Sequence, residues 1–304
     1  MLRRTLLQLS QNHWMRQWME NSPLSRKLTS RFVAGNTLAD GIQVLQKLAN
    51  ERIAGTLDFL GENVHSLTEA ARSRDCYLAA LNSIEAAHLP ATVSIKLTQF
   101  GLDFSEDACC ENVAAVVKRA QGMNSRVEVD MESSEYTDRT LKLVHYIQEC
   151  FEGHVRAVIQ AYLYRSEKDI CSLSENRIPV RLCKGAYRED ADKAFPRKSE
   201  VDANYIKLMK QLLDHGTYPA IASHDENIIH EAFTYIKERK IAPERFEFQM
   251  LYGIRRDLQR QVVEKGYRLR LYVPYGDAWY PYFMRRLAER PANLLFLARN
   301  LLRK

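Results

Sequence analysis

The sequence predicts an α/β chain folded as a (β/α)8 barrel. Eight short runs rich in Val, Ile and aromatic residues alternate with segments of helical periodicity. Eight such units in about 235 residues match the usual size of that barrel. The competing doubly wound sheet lacks its Gly-x-Gly-x-x-Gly fingerprint, a Walker loop is also absent, and the 12 glycines nowhere cluster.

The elements follow in order. Residues 1–54 precede the first strand and carry a helix over Thr37–Ile53. Strand one, Thr56–Leu60, leads to a helix over Thr68–Ala87. Thr92–Leu97 leads to Glu106–Gln121, and Arg126–Met131 to Asp138–Phe151. Val155–Leu163 and Ile178–Cys183 come next, with no helix assigned between them. In Ser199–His215, Val201, Tyr205, Leu208, Met209 and Leu212 recur at three- and four-residue steps, the spacing of one helix face. Pro219–Ser223 precedes Glu226–Arg239, where Ile229, Ala232, Phe233 and Ile236 do the same. Arg245–Leu251 and Arg268–Val273 complete the eight. No Gly/Ser/Pro-rich linker divides the chain. The organisation is therefore an N-terminal helical extension (1–54), a barrel (55–293) and a final amphipathic basic helix (294–304).

Composition narrows the classes. Hydrophobic residues are 46% and charged residues 27%, as in a folded globular protein rather than a disordered one. No run of apolar residues is long enough for a membrane-spanning helix. Lys+Arg 44 against Asp+Glu 38 gives a net charge of +6. The excess sits at the ends: Arg3, Arg4, Arg16, Arg26, Lys27 and Arg31 against Glu20, then Arg285, Arg286, Arg290, Arg299, Arg303 and Lys304 against Glu289. The middle is slightly acidic, so nucleic acid is not the expected partner. Basic termini fit solubility or an anionic surface. Cys76, Cys109, Cys110, Cys150, Cys171 and Cys183 form no Cys-x-x-Cys and no zinc spacing. They are expected to be reduced, mostly buried thiols of a cytoplasmic protein that holds no metal. The N-terminus lacks the apolar core of a secretory signal.

In such a barrel the chemistry gathers where strands end and βα loops begin. The residues there are Asp58 to Glu62, Ser94-Ile-Lys96, Asp130-Met-Glu132, Gln160-Ala-Tyr162, Arg181 to Tyr187, Ser223-His224-Asp225, Glu247 to Gly253 and Tyr272 to Gly276. Asp225 and Asp138 fit helix caps. Lys96, Asp130, Arg181 and Lys184 each end an apolar run, where a solvated face is least expected. A mouth lined by such cations suits an anion or an electron-rich ring. Further on, Tyr282, Arg285, Arg286 and Glu289 fall at i, i+3, i+4 and i+7 and share one helix face. That face is either a carboxylate clamp built on guanidinium forks or an exposed helix paired through Arg285 and Glu289.

Several of these segments resemble the proline dehydrogenase family in its single-function bacterial form. They are Arg181-Leu-Cys-Lys-Gly-Ala-Tyr187, Glu247-Phe-Gln-Met-Leu-Tyr-Gly253, Tyr272-Val-Pro-Tyr-Gly276 and Tyr282-Phe-Met-Arg-Arg-Leu-Ala-Glu289-Arg-Pro-Ala-Asn293, with Ser94-Ile-Lys96 and Val158-Ile-Gln160-Ala-Tyr162. The likeness runs from about Ser30 to Asn293. It departs from the family at Arg188, where an aromatic is common, at Cys183 for valine and at Asp225 for asparagine.

The resemblance implies a distorted barrel with its last helix over the mouth. It implies non-covalent FAD and oxidation of L-proline to Δ1-pyrroline-5-carboxylate, the first step of proline catabolism to glutamate. Hydride moves from proline C5 to flavin N5, and the electrons pass to membrane quinone. Lys96, Arg285 and Arg286 would clamp the substrate carboxylate. Leu251, Tyr187, Tyr272 and Tyr282 would pack its ring, and Ala186 would leave room. Arg181, Lys184, Gly185 and Gln160 would hold FAD, with His224 and Glu289 also on the cofactor side. Asp130 would orient its neighbours, and Glu62 would gate the site by pairing with Arg285. Quinone lives in the bilayer, so the chain is expected at the inner face of the cell membrane. The stripe Leu294, Leu297, Ala298, Leu301 and Leu302, flanked by Arg299, Arg303 and Lys304, would touch anionic lipid or merely pack. Two other classes compete: a lyase using Lys96 or Lys184 as Schiff-base amine, and a barrel that binds without turnover.

Overall fold

A computed structural model describes residues 31–61, 64–280 and 284. Its centre is a closed parallel barrel in which the eight strands pair in chain order and β8 closes on β1. The strands are β1 (Ala54–Phe59), β2 (Ala91–Ile95), β3 (Val127–Val129), β4 (Val155–Gln160), β5 (Val180–Cys183), β6 (Ala220–Ala222), β7 (Glu247–Leu251) and β8 (Leu269–Tyr275). The helices are α1 (Leu38–Asn50), α2 (Leu67–Ala86), α3 (Glu106–Gly122), α4 (Thr137–Cys150), α5 (Ser166–Glu175), α6 (Lys198–His215), α7 (Glu226–Glu238) and α8 (Arg256–Glu264).

Two of these helices, α5 and α8, were not expected. Each is short, with 10 and 9 residues, and buries only a few apolar side chains, among them Ile170 and Leu173, or Leu258 and Val262. Too few turns repeat for periodicity to stand out. The strands also differ at their ends. β3 and β4 stop earlier than their apolar runs, and β8 continues to Tyr275.

α1 is capped by a reciprocal box: the Asp40 amide donates to Thr37 Oγ1 at 3.2 Å, and the Thr37 amide donates to Asp40 Oδ2 at 2.9 Å. Its buried face, Val44, Leu45 and Leu48, lies on β1 and β8. Leu45 seats on Gly55, where a Cβ would come within 2.0 Å. The helix before the first strand thus fills the outer seat between the last strand and the first. This placement leaves α1 integral to the barrel's outer layer.

Helices cover the outside, so outward strand residues are apolar, as Leu57, Val93, Val129, Ala157 and Leu271 are. The alternate residues must then point to the barrel axis. Polar side chains from opposite strands do meet there: Gln249 of β7 reaches Glu128 of β3, and Arg156 of β4 reaches Glu247 of β7. The inner face is therefore a layered polar network rather than the branched apolar filling usual in this fold.

The six cysteines are all free. Burial was overstated for them: Cys109 is buried, but Cys150 and Cys171 are exposed on α4 and α5. Both are helix positions on the solvent side, which composition cannot distinguish from the core side.

Candidate active site

The C-terminal ends of the strands bring together most of the described mouth residues. Lys96 follows β2, and its Nζ lies 3.1 Å from Asp58 Oδ1 and 3.5 Å from Asp130 Oδ2. Asp130 follows β3 and accepts from three sides. The Tyr272 hydroxyl donates to it at 2.7 Å, Arg181 Nη1 at 2.8 Å and Ser94 Oγ at 2.9 Å. Arg181 lies over the Tyr272 ring, 5.4 Å from its centroid. Lys96, Asp130, Arg181 and Tyr272 are therefore one cluster, anchored on β2, β3, β5 and β8. Burial first, and then the Asp130 and Asp58 carboxylates, push the Tyr272 phenol well above its ordinary value, so it stays a donor.

Asp58 was expected to stand after the first strand. It instead lies within β1, 1% exposed, with its carboxylate turned to Lys96. Tyr272 likewise sits in the middle of β8, not at its end. Both shifts follow from the inward alternation, which carries these side chains to the axis one layer below the rim.

Arg181 and Gln160 are more committed to the protein than the sequence suggested. Arg181 is 5% exposed and makes four donations: Nε and Nη2 to Glu128, Nη2 to Ser94, and Nη1 to Asp130. A guanidinium has five N–H groups, so one on Nη1 is left for a ligand. Gln160 spends its amide on backbone: Nε2 donates to the Glu132 and Met131 carbonyls at 2.7 and 3.4 Å, and Oε1 accepts from Ala186 N at 3.2 Å. It shapes the loop after β5 and has no spare donor.

That loop starts at Lys184, whose ammonium is ion-paired with Asp202 of α6 and, at 2.7 Å, with Asp225. Asp225 also caps α7, accepting from Asn227 N at 3.1 Å. Burial would raise its carboxyl, but the hydrogen-bonded Lys184 ammonium, with Lys198, overrides this and lowers it to about 2. Gly185 turns the chain at φ +122, and a Cβ there would meet the Tyr162 ring at 2.3 Å. Only glycine brings this backbone so close. Ala186 and Tyr187 follow, both exposed. His224 Nε2 accepts from Leu251 N at 2.8 Å, which ties the loop after β6 to the end of β7. A neutral His224 then carries its proton on Nδ1. Tyr282, Arg285, Arg286, Glu289 and Glu62 lie outside the described residues.

The ion pair at Asp225 has a pH signature. A carboxyl held at about 2 instead of 3.8 contributes stability above pH 3.8 that is lost as pH falls towards 2. The melting-temperature difference between wild type and Asp225→Asn, present at neutral pH, is expected to shrink across that window. A difference that stays constant would reject the pair.

Sequence reasoning missed Glu128, Arg156 and Arg270 and put Glu247 at the mouth itself; Glu128, Arg156 and Glu247 are buried beneath the mouth, and Arg270 is half-buried beside them. Arg156 Nη1 bridges Glu128 at 3.2 Å and Glu247 at 2.6 Å, and Arg270 Nε reaches Glu247 at 3.0 Å. The signal was present in Val127-Glu128-Val129-Asp130 and Leu269-Arg270-Leu271-Tyr272, where charge alternates with apolar residues. In a sheet covered on its outer face, such alternation can only point inward. Among the described residues no group of three or more His, Cys, Asp or Glu could hold a metal.

A parallel eight-stranded barrel with ion-paired cations and a buried carboxylate cluster at its C-terminal mouth has the architecture of a barrel enzyme. The chain belongs to the proline dehydrogenase family, whose family model matches residues 42–299. It is 38% identical over 304 residues to proline dehydrogenase 1 of Bacillus subtilis (strain 168), covering 100% of both chains. It is 40% identical over 280 residues to the proline dehydrogenase of Deinococcus radiodurans, covering 91% of this chain and 90% of that one. Among solved structures it resembles proline utilization A from Bdellovibrio bacteriovorus inactivated by N-propargylglycine. There the TM-score is 0.81 and the identity 28%, over 87% of this chain and 33% of that one. The chain thus spans about a third of that larger protein.

Proposed function

We propose that this chain oxidises L-proline to Δ1-pyrroline-5-carboxylate, using FAD held non-covalently at the strand ends. The observation that carries the reading is the Lys96–Asp130–Arg181–Tyr272 cluster, in a chain that aligns end to end with a proline dehydrogenase.

The residues present suit FAD. Arg181 keeps one N–H beyond its protein partners. Lys184 and the exposed turn of Gly185 to Tyr187 provide a cation and an accessible surface for an anionic chain. When bound, FAD would supply the two-electron acceptor for the C5 hydride, the amine giving up its proton, with a membrane quinone as the onward acceptor. The protein's share is position. Lys96, with Arg285 and Arg286, holds the substrate carboxylate. Leu251, Tyr187, Tyr272 and Tyr282 enclose the ring, beside the small Ala186. Asp130 fixes Lys96, Tyr272 and Arg181 relative to one another. Glu289 joins the cofactor side, and Glu62 closes over substrate by pairing with Arg285. Such orientation supplies several kcal/mol of a barrier, on the order of 7 or more in well-aligned systems.

The Schiff-base alternative is poorly served. Lys96 and Lys184 each touch two carboxylates, the opposite of the desolvated or cation-flanked pocket that activates such a lysine. The deciding experiment is an absorbance spectrum followed by anaerobic proline. A flavin band that bleaches supports the reading. A colourless protein trapped by borohydride with substrate supports the lyase, and bound flavin without bleaching leaves a binding protein.

The phenol of Tyr272, pinned by Asp130, offers a C4 hydroxyl neither space nor a free partner. Proline is therefore expected to exceed 4-hydroxyproline in kcat/KM, and Tyr272→Ser to narrow the gap. Equal efficiencies in the wild type would overturn this.

Arg285→Lys and Arg286→Lys keep the charge but lose the paired fork, so each is expected to raise KM for proline while flavin stays bound. Unchanged KM in both rejects the clamp. Contact of residues 294–304 with anionic lipid is tested by co-sedimentation with vesicles. Equal binding by a chain ending at Asn293 would assign that segment to packing. Among the described residues no helix is long and apolar enough to cross a membrane.

A further inference from the structure

We infer that Glu128, deep inside the barrel, is a positioning residue that holds the Arg181 guanidinium in register and so sets how readily a flavin at the strand ends accepts electrons. The inference rests on the reading that FAD binds there.

Glu128 is fully buried on β3, two residues below Asp130. Its Oε2 accepts Arg181 Nε at 2.9 Å and also Arg181 Nη2. Its Oε1 accepts Arg156 Nη1 and Thr92 Oγ1, both at 3.2 Å. Gln249 Nε2 reaches the two oxygens at 3.3 and 3.2 Å. The carboxylate is thus held from β2, β4, β5 and β7 and cannot turn. Its grip on one edge of Arg181 fixes the plane of the guanidinium. With Asp130 on Nη1 and Ser94 on Nη2, the remaining Nη1–H has one direction to take. Burial opposes the charge on Glu128, and the three arginines around it, Arg181 foremost, more than offset this. Glu128 therefore also carries the negative charge that tempers Arg181. Removing that charge leaves the guanidinium more positive towards the mouth and more able to stabilise added electrons.

Glu247 separates this role from general support of the network. It is equally buried, carries the same charge and binds the same Arg156, but pairs with Arg270 and not with Arg181. A merely structural role would make Glu128 and Glu247 equivalent.

The test measures the two-electron reduction potential of the full-length flavoprotein against an indicator dye. Glu128→Gln is expected to raise the reduction equilibrium constant about tenfold, equal to about 30 mV for a two-electron couple. In an Arg181→Lys background the same substitution should move it less than about twofold, because the effect passes through Arg181. Glu247→Gln should fall short of Glu128→Gln by about threefold or more. Equal shifts for the two glutamates, or an undiminished shift in the Arg181→Lys background, would overturn the inference. Should Glu128→Gln not fold, Glu128→Asp keeps the charge and shortens the reach. Its shift must likewise vanish with Arg181→Lys, and a shift that persists overturns the inference. A wild-type chain that takes up no flavin would instead sink the cofactor reading itself.

Discussion

Replacing Lys96 by methionine is expected to lower kcat/KM for proline about a hundredfold, mostly through KM, by the size usual for a charge partner removed from a buried pair. The ammonium stands between the Asp58 and Asp130 carboxylates, which are 1% and 14% exposed. Without it, two negative groups face the place proposed for the substrate carboxylate. Attraction becomes repulsion, and methionine supplies the length without the charge. Asp58→Asn in the Lys96→Met background is expected to recover part of the loss, since it removes one of the two carboxylate charges that Lys96 offsets. Steady-state kinetics checks both variants. An unchanged KM in Lys96→Met would remove Lys96 from the clamp.

The second large effect falls on stability. Arg156 is fully buried, with Nη1 shared by Glu128 and Glu247 and Nη2 donating to the Tyr218 carbonyl at 3.3 Å. Its Nε has no hydrogen-bond partner, and the guanidinium lies over the Tyr218 ring, 5.4 Å from the centroid. Arg156→Met leaves two carboxylates in the core with less compensation. The expected loss is about 3 kcal/mol or more, as for other buried pairs broken from one side. Denaturant unfolding reads it. Adding Glu247→Gln is expected to return part of the loss, because one uncompensated charge goes with it. A single variant within about 0.5 kcal/mol of wild type, the range of an ordinary surface change, would show that the interior network does not depend on Arg156.

These two effects mark where the sequence was legible and where it was not. The alternation of Val/Ile-rich runs with helical spacing gives the barrel, because eight local periods add to one closed sheet in only a few ways. The positions of Lys96 and Asp130 just after β2 and β3 follow once each run is taken to end at a charge, whereas Arg181, expected at such an end, lies inside β5. The motifs from Arg181 to Tyr187 and from Tyr272 to Gly276 give the family.

The direction in which charged strand residues point is not a local property. Glu128, Arg156, Glu247 and Arg270 could each face solvent until helices are known to cover the outside of every strand. The same holds for Asp58, which the sequence placed where the first strand gives way to its loop and the barrel turns onto Lys96. Short helices such as α5 and α8 escape because so few turns carry little periodic signal, and tertiary packing supplies their stability. Partners are less local still. Arg181 and Lys184 look alike in the sequence, three residues apart at the end of one run. Only closure of the barrel gives the first to Glu128 and Asp130 inside it, and the second to Asp202 and Asp225 on the rim. The sequence by itself determined the architecture and the kinds of side chain at the mouth, which rest on periodicity and spacing, and the family, which rests on the resemblance of its motifs. Tertiary structure alone decided which charges meet, because a parallel barrel brings together residues from strands far apart in the chain, and only there are they dehydrated enough for pairing to matter.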